Sequence, residues 1–265
     1  MPRDDGGSLV PDFPKILRKI RERTPARIFF GRAGAAYRTS TQMDLREAHA
    51  AARDAVRAEL DLQSVFGVEF IERWKLFEVA TEARSKEEYL LRPDLGRRLS
   101  DAAREELKRR CPGGSDIQIA IGDGLSVTAV AAQVPPLLPF LDEGARALGW
   151  VMGQPFVVRH CRVGVLNDIG ELLSPKVALL LIGERPGLAT SESLSAYMAY
   201  RPDKAHTDAN RNLISNIHTR GLTPQVAANR ILNLAAQMMT QRTSGFSVRE
   251  QLPASQSHSP RISEK

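Results

Sequence analysis

Cysteine is scarce in this sequence, with only Cys111 and Cys161 among 265 residues. Two cysteines are too few for a disulfide framework, and neither stands at a metal-ligand spacing from a second Cys or His. The sequence therefore argues against a disulfide-stabilised secreted scaffold. It predicts a protein of a reducing cytosol that has no metal site.

Long apolar runs are also missing. No stretch approaches the roughly 18 apolar residues that a membrane-spanning helix needs, and the first seven residues lack the apolar core of a signal peptide. Hydrophobic residues make up 42% of the chain and charged residues 26%, as is typical of a soluble globular protein. We expect an intracellular protein without a membrane partner.

Aromatic residues account for only 6% of the chain, which leaves little material for stacking nucleic-acid bases, although the formal net charge is +6. The later basic residues are Arg92, Arg97, Arg98, Arg104, Lys108, Arg109 and Arg110. Acidic residues such as Asp101 and Glu105 are interleaved with them, as on a solvated helix face or a subunit contact. This pattern argues against a nucleic-acid partner. Because the net charge is positive, a basic nucleotide- or nucleic-acid-binding module is kept as the alternative function.

Composition divides the chain into five parts. They are a flexible arm (1–14), a mainly helical N-terminal domain (15–111), a linker (112–115), an α/β domain (116–250) and a disordered tail (251–265). Within the first domain, residues 42–60 and 98–110 are predicted to be helices and residues 76–80 a short strand. The Pro-Gly-Gly sequence of the linker cannot continue a helix, which is why the boundary is placed there.

Beyond the linker, strand-like runs alternate with helical patterns. Strands are predicted at 117–121, 156–159 and 177–182, helical pieces at 127–132, 137–148 and 168–173, and a last helix from Thr223-Pro224. This alternation predicts an open sheet. The predicted fold class is α/β, with a mainly helical N-terminal domain followed by a Rossmann-like, mainly parallel open sheet with helices on both faces.

The most informative stretch begins at the third of these strands. Residues 177–182 are apolar at every position, as in a strand covered on both faces, and Gly183-Glu-Arg-Pro-Gly187 follows directly. Pro186 fixes its own φ and restricts Arg185. Because ligands bind at the carboxyl ends of parallel strands, we predict that Glu184 and Arg185 bind a polar ligand. A surface turn with weak ion pairs is the alternative.

A second glycine-containing turn, Gly122-Asp-Gly-Leu-Ser126, follows the first strand of the predicted sheet. Its glycines allow close backbone approach to a phosphate or a cofactor edge, but no known phosphate-binding fingerprint stands at this junction. A purely structural role, in which Ser126 caps the next helix, is equally well supported.

No residues form a catalytic set by themselves. His218 has no second His or Cys at ligand spacing, so an interior or interface histidine is favoured over a general base or a metal ligand. Ser126, Ser191 and Ser195 lack the Gly-x-Ser-x-Gly elbow of a serine hydrolase. We predict no catalytic residue, and a free-standing hydrolase or transferase that uses Asp123, Ser126 and His218 is the least favoured function.

Four stretches occur in a distinctive order over roughly residues 25–249. They are Tyr89-Leu-Leu-Arg-Pro-Asp-Leu-Gly-Arg-Arg-Leu99, Asp123-Gly-Leu-Ser126, Gly183-Glu-Arg-Pro-Gly-Leu188 with Ser191-Glu-Ser-Leu-Ser195, and Ile214-Ser-Asn-Ile-His218. Together they resemble the small (light) subunit of ethanolamine ammonia-lyase, the adenosylcobalamin-dependent enzyme that converts ethanolamine to acetaldehyde and ammonia. Four such stretches in register are far more specific than any one of them.

The resemblance implies a division of labour. In this family the large subunit is a (β/α)8 barrel that holds the substrate and the radical chemistry, while the small subunit covers the corrin ring. By position, the cobalamin contacts would be Val163, Glu184 and Leu213, the last standing where family members can have Cys. The implied partner is the large (heavy) catalytic subunit in a higher hetero-oligomer, six of each. The small subunit alone is expected to be inactive.

The resemblance also implies the state of the cofactor. This chain has no Asp-x-His-x-x-Gly sequence, by which other cobalamin proteins place a histidine on cobalt. Adenosylcobalamin is therefore expected to be base-on, keeping its own dimethylbenzimidazole, and to be shared with the large subunit. About 25 residues precede the matching region, fewer than in relatives whose leader directs them into a bacterial microcompartment. We expect a cytoplasmic protein and leave encapsulation open.

Overall fold

The computed structural model describes residues 13–23, 32–187 and 190–251. Its helices are α1 (Phe13–Arg23), α2 (Thr39–Arg57), α3 (Leu62–Trp74), α4 (Lys86–Leu91), α5 (Asp101–Arg110), α6 (Val127–Ala147), α7 (Val165–Leu173) and α8 (Pro224–Gln241). Its strands are β1 (Arg32–Ala33), β2 (Ala36–Tyr37), β3 (Glu78–Ala80), β4 (Ile117–Gly122), β5 (Phe156–Arg159), β6 (Val177–Gly183), β7 (Leu194–Tyr200) and β8 (Asn212–Ile217). Short 3-10 helices lie at Leu95–Arg97, Asp208–Asn210 and Gly245–Ser247.

Six strands form one sheet in the order β3-β5-β4-β6-β7-β8, and β1 pairs with β2 in a separate small sheet. The pairs β3/β5, β5/β4 and β4/β6 are parallel. Strands β7 and β8 are added antiparallel at the far edge. The predicted α/β class with a mainly parallel open sheet is confirmed, and the antiparallel edge is an addition to it.

Helices cover both faces of the sheet, as predicted. In β6, Val177, Leu179 and Leu181 lie in one hydrophobic cluster, whereas Leu180 and Ile182 lie in another. The first cluster includes residues of α3, α6 and α8, and the second includes residues of α5 and α7. Burial on both faces therefore explains why residues 177–182 are apolar at every position.

Helix α6 corrects one prediction. Its prolines suggested two helical pieces, 127–132 and 137–148, but the helix is continuous from Val127 to Ala147 with Pro135, Pro136 and Pro139 inside it. A proline in a helix interior removes a backbone hydrogen bond. Here the burial of nine residues of α6 offsets that loss, because packing of an apolar face supplies most of the stability of a helix in a protein.

Most other predicted elements differ from the structure only at their ends. Helix α2 corresponds to residues 42–60, strand β3 to residues 76–80 and helix α5 to residues 98–110, while α7 begins three residues before position 168. Thr223 is the N-cap of α8, although its side chain makes no capping hydrogen bond. The elements that were not predicted are α1, α3, α4, β1, β2, β7 and β8.

The sheet includes strands from both sides of residues 112–115. Strand β3 precedes them and pairs with β5, which follows them. Helix α3 also shares a hydrophobic cluster with α6. The division into an N-terminal and an α/β domain remains a prediction, and the predicted arm (1–14) and tail (251–265) lie almost wholly outside the described residues. No helix within the described ranges has the length and apolar character that a membrane crossing requires.

Candidate functional site

The turns that follow β4 and β6 are in contact. These strands are parallel neighbours, so their carboxyl ends meet at one edge of the sheet. The Leu125 N–H donates to the Gly183 carbonyl oxygen at 3.1 Å. A Cβ at Gly183 would lie 2.0 Å from the Ser126 carbonyl oxygen, and Gly124 has a φ of +56°. Glycine at both positions is therefore what allows the two turns to interlock.

Ser126 has a structural role in this arrangement. Its hydroxyl accepts a hydrogen bond from the Ala129 N–H at 3.1 Å, which caps α6, and donates to the Ser191 carbonyl oxygen at 2.5 Å. The capping role predicted as one alternative is confirmed. The second bond ties the segment after β6 to the start of α6.

The Glu184 carboxylate is fixed by three donors. The Ser193 hydroxyl donates to it at 2.8 Å, the Ser195 hydroxyl at 2.5 Å, and the Asn216 backbone N–H at 3.1 Å. Hydrogen bonds to an ionised acceptor are strong and directional, so Glu184 is oriented before any ligand arrives. Its neighbour Arg185 is exposed and has no ion pair within the described part of the chain.

A β-bulge supplies the third of these donors. The pairing of β7 with β8 shifts register between Leu194 and Ala196, and Asn216 adopts a φ of +62°. Bulges redirect backbone groups next to sites, and Asn is among the residues that tolerate this left-handed conformation. The irregularity thus directs the Asn216 N–H to Glu184.

The three predicted cofactor contacts lie around one hollow of about 380 Å³ at this edge of the sheet. We call it the Glu184 depression. It is lined by Tyr89, Gly124, Leu125, Arg162, Val163, Ile182, Gly183, Glu184, Arg185, Ser195, Tyr197, Leu213 and Ser215. Val163, Glu184 and Leu213, which are distant in sequence, are therefore close together in the fold. Their role as cobalamin contacts stays a prediction.

Val163 and Leu213 offer this depression different chemistry. The Val163 carbonyl accepts from the Leu166 N–H at 3.2 Å, but its own N–H has no acceptor within the described residues. Leu213, on the edge strand β8, has 47% of its surface exposed. The site thus presents a free backbone donor, an oriented carboxylate and an apolar side chain.

A buried ion pair lies beneath the turn after β4. Lys86 Nζ lies 3.2 Å from Asp123 Oδ2 and donates to the Gly124 carbonyl oxygen at 3.0 Å, and both charged side chains are almost fully buried. The Cys161 N–H donates to the other Asp123 oxygen at 2.8 Å. Asp123 is therefore an internal brace. Nothing in the sequence pattern marked Lys86 as its partner.

Two tyrosines, Tyr89 and Tyr197, also line the Glu184 depression. Neither was predicted as a site residue. Burial is the main cause that raises the pKa of Tyr89, and the negative charge of Asp123 raises it further. Burial is also the main cause that raises the pKa of Tyr197, and the charge of Glu184 adds to it. Both phenols therefore keep their protons at neutral pH. Tyr89 donates to the Cys161 carbonyl oxygen at 3.0 Å, and the Arg162 guanidinium lies 4.3 Å from the centre of its ring. The one signal for Tyr89 was its place at the start of a matching stretch.

His218 lies outside the lining of this depression. Its ring nitrogens contact the Asn216 side-chain oxygen at 2.7 Å and the Arg220 N–H at 3.2 Å. An accepted bond at Nδ1 assigns the proton to Nε2. The prediction of a satisfied interior histidine is thus confirmed, and both ring nitrogens are engaged inside the chain.

Comparison with known proteins supplies the remaining observation. The family model of the ethanolamine ammonia-lyase light chain (EutC) matches residues 14–249. That range includes both strand-end turns and every residue that lines the Glu184 depression. This chain belongs to the ethanolamine ammonia-lyase light-chain family.

Individual relatives are similar over most of their length. A protein of Clostridium perfringens named ethanolamine ammonia-lyase small subunit is 40% identical over 231 residues, which are 87% of this chain and 76% of the relative. Its namesake in Clostridium acetobutylicum is 39% identical over 88% of this chain and 94% of its own length. The protein of the same name in Clostridioides difficile is 39% identical over 87% of this chain and 76% of its own length. The resemblance that the four motifs predicted is confirmed.

The charges of the arginine-rich stretch are largely paired within the chain. Several arginines of the stretch 92–110 are paired with carboxylates, namely Arg92 with Asp94, Arg104 with Asp168, and Arg109 and Arg110 with Glu106. The pairs within the stretch are typical of a solvated surface or a subunit contact, whereas Arg104 and Asp168 form a largely buried pair between α5 and α7. Across the part of the chain that the structure covers, no group of three or more His, Cys, Asp or Glu is placed to hold a metal ion.

Proposed function

We propose that this chain is the small subunit of an adenosylcobalamin-dependent ethanolamine ammonia-lyase and completes the cobalamin site on the large subunit. The complex would convert ethanolamine to acetaldehyde and ammonia. The observation that carries the proposal is the gathering of Val163, Glu184 and Leu213 around one depression whose carboxylate is already oriented. This arrangement is suited to binding and positioning a ligand.

The residues present fit a corrin. Its edge carries amide groups, and the Glu184 carboxylate can accept from such an N–H while the unpaired Val163 N–H donates to such a carbonyl. The exposed Leu213 side chain suits the apolar parts of the ring, so a leucine in place of cysteine preserves a contact there. When bound, the cofactor supplies the cobalt–carbon bond for the radical chemistry, and the protein supplies orientation and electrostatics.

A base-on cofactor agrees with the state of the histidine next to the site. Both ring nitrogens of His218 are hydrogen-bonded within the chain. Placing this imidazole on cobalt would require both bonds to be rearranged. We therefore propose that the chain binds cobalamin through its periphery and leaves dimethylbenzimidazole on the metal.

We assign no catalytic residue to this chain. Asp123 and Ser126 serve within the fold, and the raised pKa values of the two tyrosines at the depression keep both phenols protonated, so neither is available as a general base at neutral pH. Substrate binding and bond breaking then belong to the large subunit. We expect a hetero-oligomer with six copies of each subunit, located in the cytoplasm either free or in a microcompartment.

Co-expression with the cognate large subunit tests the function directly. We expect the purified complex to deaminate ethanolamine and to show a bound-cobalamin absorption spectrum, whereas this chain alone shows neither turnover nor stable cofactor binding. Full activity of the large subunit alone would refute the proposed role. Turnover of ethanolamine by this chain alone would refute the assignment of chemistry to the partner.

A further inference from the structure

A second hollow adjoins the Glu184 depression. Its volume is about 470 Å³, and the two hollows share Arg162, Val163, Tyr197 and Leu213. Three arginines, Arg97, Arg162 and Arg211, line it, and we call it the arginine depression. The shared wall makes the two depressions neighbours on one surface.

The lining of the arginine depression contains more positive than negative charge. Asp208 is its one carboxylate, and it is already paired with Arg211. Arg97 and Arg162 have no ion pair among the described residues. Arg162 instead rests on the ring of Tyr89, at 4.3 Å from its centre. Two guanidinium charges of the depression therefore lack a counterion in the part of the chain that the structure describes.

Two of the three guanidinium groups also have a buried N–H without an acceptor. The Nε atoms of Arg162 and Arg211 are buried and form no hydrogen bond within the described part of the chain. The Arg211 side chain is only 5% exposed, and burial together with the nearby charge of Arg97 lowers its pKa. Buried donors are normally paired, so these unpaired groups indicate an acceptor that the described part of the chain does not provide.

The backbone adds a donor on the same side. Gly164, which precedes α7, lines the arginine depression but not the Glu184 depression, and its N–H has no acceptor among the described residues. A backbone N–H group at a helix start favours an anion, as the arginine side chains do. Donor geometry and net charge thus favour the same class of ligand.

We propose that the arginine depression binds the phosphodiester of the cofactor's nucleotide loop. This inference rests on the proposed cobalamin function. Base-on cobalamin is one ligand with an amide-bearing ring and a single anionic phosphodiester, and two adjacent depressions of matching chemistry are what such a ligand requires. Guanidinium groups bind phosphate oxygens through two parallel hydrogen bonds, which a corrin amide cannot reproduce.

The test compares adenosylcobalamin with adenosylcobinamide, which lacks the nucleotide loop and its phosphate. Arg97→Gln removes an exposed, unpaired guanidinium, so the fold should be preserved. Arg98→Gln is the matched control because Arg98 is the adjacent exposed arginine and does not line the arginine depression. Dissociation constants are measured by equilibrium dialysis on complexes with the large subunit, and cobalt-corrin absorbance gives the bound fraction.

We expect Arg97→Gln to weaken adenosylcobalamin binding about 10- to 100-fold, as for a lost hydrogen bond to a charged group. Its effect on adenosylcobinamide should stay within about twofold, and Arg98→Gln should change neither constant, following the logic of a double-mutant cycle. Equal weakening of both corrinoids by Arg97→Gln, or no weakening of adenosylcobalamin, would overturn the phosphate assignment alone. Absence of binding of either corrinoid to the unaltered complex would overturn the proposed function, and this inference with it.

Inorganic phosphate separates the nucleotide loop from a free anion as the occupant. At constant ionic strength, phosphate should compete with adenosylcobalamin but not with adenosylcobinamide. If phosphate still binds to the complex at saturating adenosylcobalamin, the arginine depression is a site for a free anion and the assignment to the cofactor is wrong.

Discussion

Glu184 owes its direction to three donors, two of which are side chains of the neighbouring strand region. We expect Glu184→Ala to weaken cobalamin binding to the complex by about 1–3 kcal/mol, or about 5- to 150-fold in Kd, because a buried hydrogen bond to the ligand is lost. Equilibrium dialysis measures the change. Glu143→Ala is the control, since Glu143 is an exposed carboxylate of α6 that does not line the Glu184 depression.

An unchanged Kd for Glu184→Ala would show that the turn only stabilises the fold. Ser193→Ala distinguishes orientation from direct contact, because it removes one donor to Glu184 and leaves the carboxylate in place. We expect it to weaken cobalamin binding by less than Glu184→Ala does. Thermal unfolding of each variant complex checks that the subunit remains folded.

The two cysteines illustrate how burial controls reactivity. Burial raises the pKa of the Cys111 thiol to about 11, and burial followed by the charge of Asp123 raises the pKa of Cys161 well above its usual range. The thiolate is the reactive form, and at pH 8 only about one Cys111 thiol in a thousand would be ionised, so the reaction would be slow even if a reagent reached it. We expect an aromatic disulfide reagent to titrate no thiol in the folded chain and two in denaturant.

The pH dependence of stability follows from the same shifts. Below the ordinary thiol value of 9.0, native and unfolded chains both hold these protons, so neither thiol affects stability. As pH rises from 9.0 towards about 11, the unfolded chain loses protons that the native chain keeps, and the free energy of unfolding falls. In urea titrations, the free energy of unfolding of a Cys111→Ala variant should fall less steeply with rising pH. An equally steep fall would contradict the contribution of the Cys111 thiol.

At the scale of secondary-structure elements, the starts of α6 and α8 offer a matched pair. Ser126 caps α6 through its hydroxyl, whereas Thr223 stands at the N-cap of α8 without a side-chain bond. We expect Ser126→Ala to cost about 1 kcal/mol or more, since the bond to Ser191 is lost as well, and Thr223→Ala to cost only a few tenths. Urea unfolding at pH 7 measures both. Equal losses would contradict this account of α6.

The sequence predicts those elements whose pattern is set by neighbouring residues along the chain. β4, β5 and β6 are short apolar runs between breakers, and that pattern survives in the structure. β7 was not predicted because Ser195 and the polar residues 190–193 before it break up the apolar pattern that marked the other strands. The continuity of α6 depends on burial by distant elements, which a local pattern of prolines does not show.

The candidate site shows the same limit. Glu184 was accessible to sequence reasoning because a charged turn after a buried strand marks a sheet edge. Val163 and Leu213 came from the family resemblance, since neither residue type indicates binding. The Asn216 amide depends on the register of β7 and β8, and the Lys86–Asp123 pair joins residues 37 apart. Long-range contacts of this kind are set by the whole fold.

For the molecule as a whole, the sharing of one sheet and one hydrophobic cluster across residues 112–115 predicts cooperative unfolding. The two tryptophans report the two sides, because Trp74 ends α3 and Trp150 follows α6. Each of the variants Trp74→Phe and Trp150→Phe keeps one tryptophan. We expect the urea midpoint from fluorescence to equal the midpoint from circular dichroism in each variant, and the two variants to agree after correction for their difference in stability. Separate midpoints would support two independently folding domains.

Strand β8 forms one outer edge of the main sheet, and such an edge is a template on which a strand from another molecule can pair. The bulge near Asn216 breaks the regular spacing of amides that this pairing would need. The same irregularity gives Glu184 its backbone donor. A change that straightened β8 would therefore deprive the carboxylate of that donor and, in the same step, make the subunit more prone to aggregate before it meets its partner.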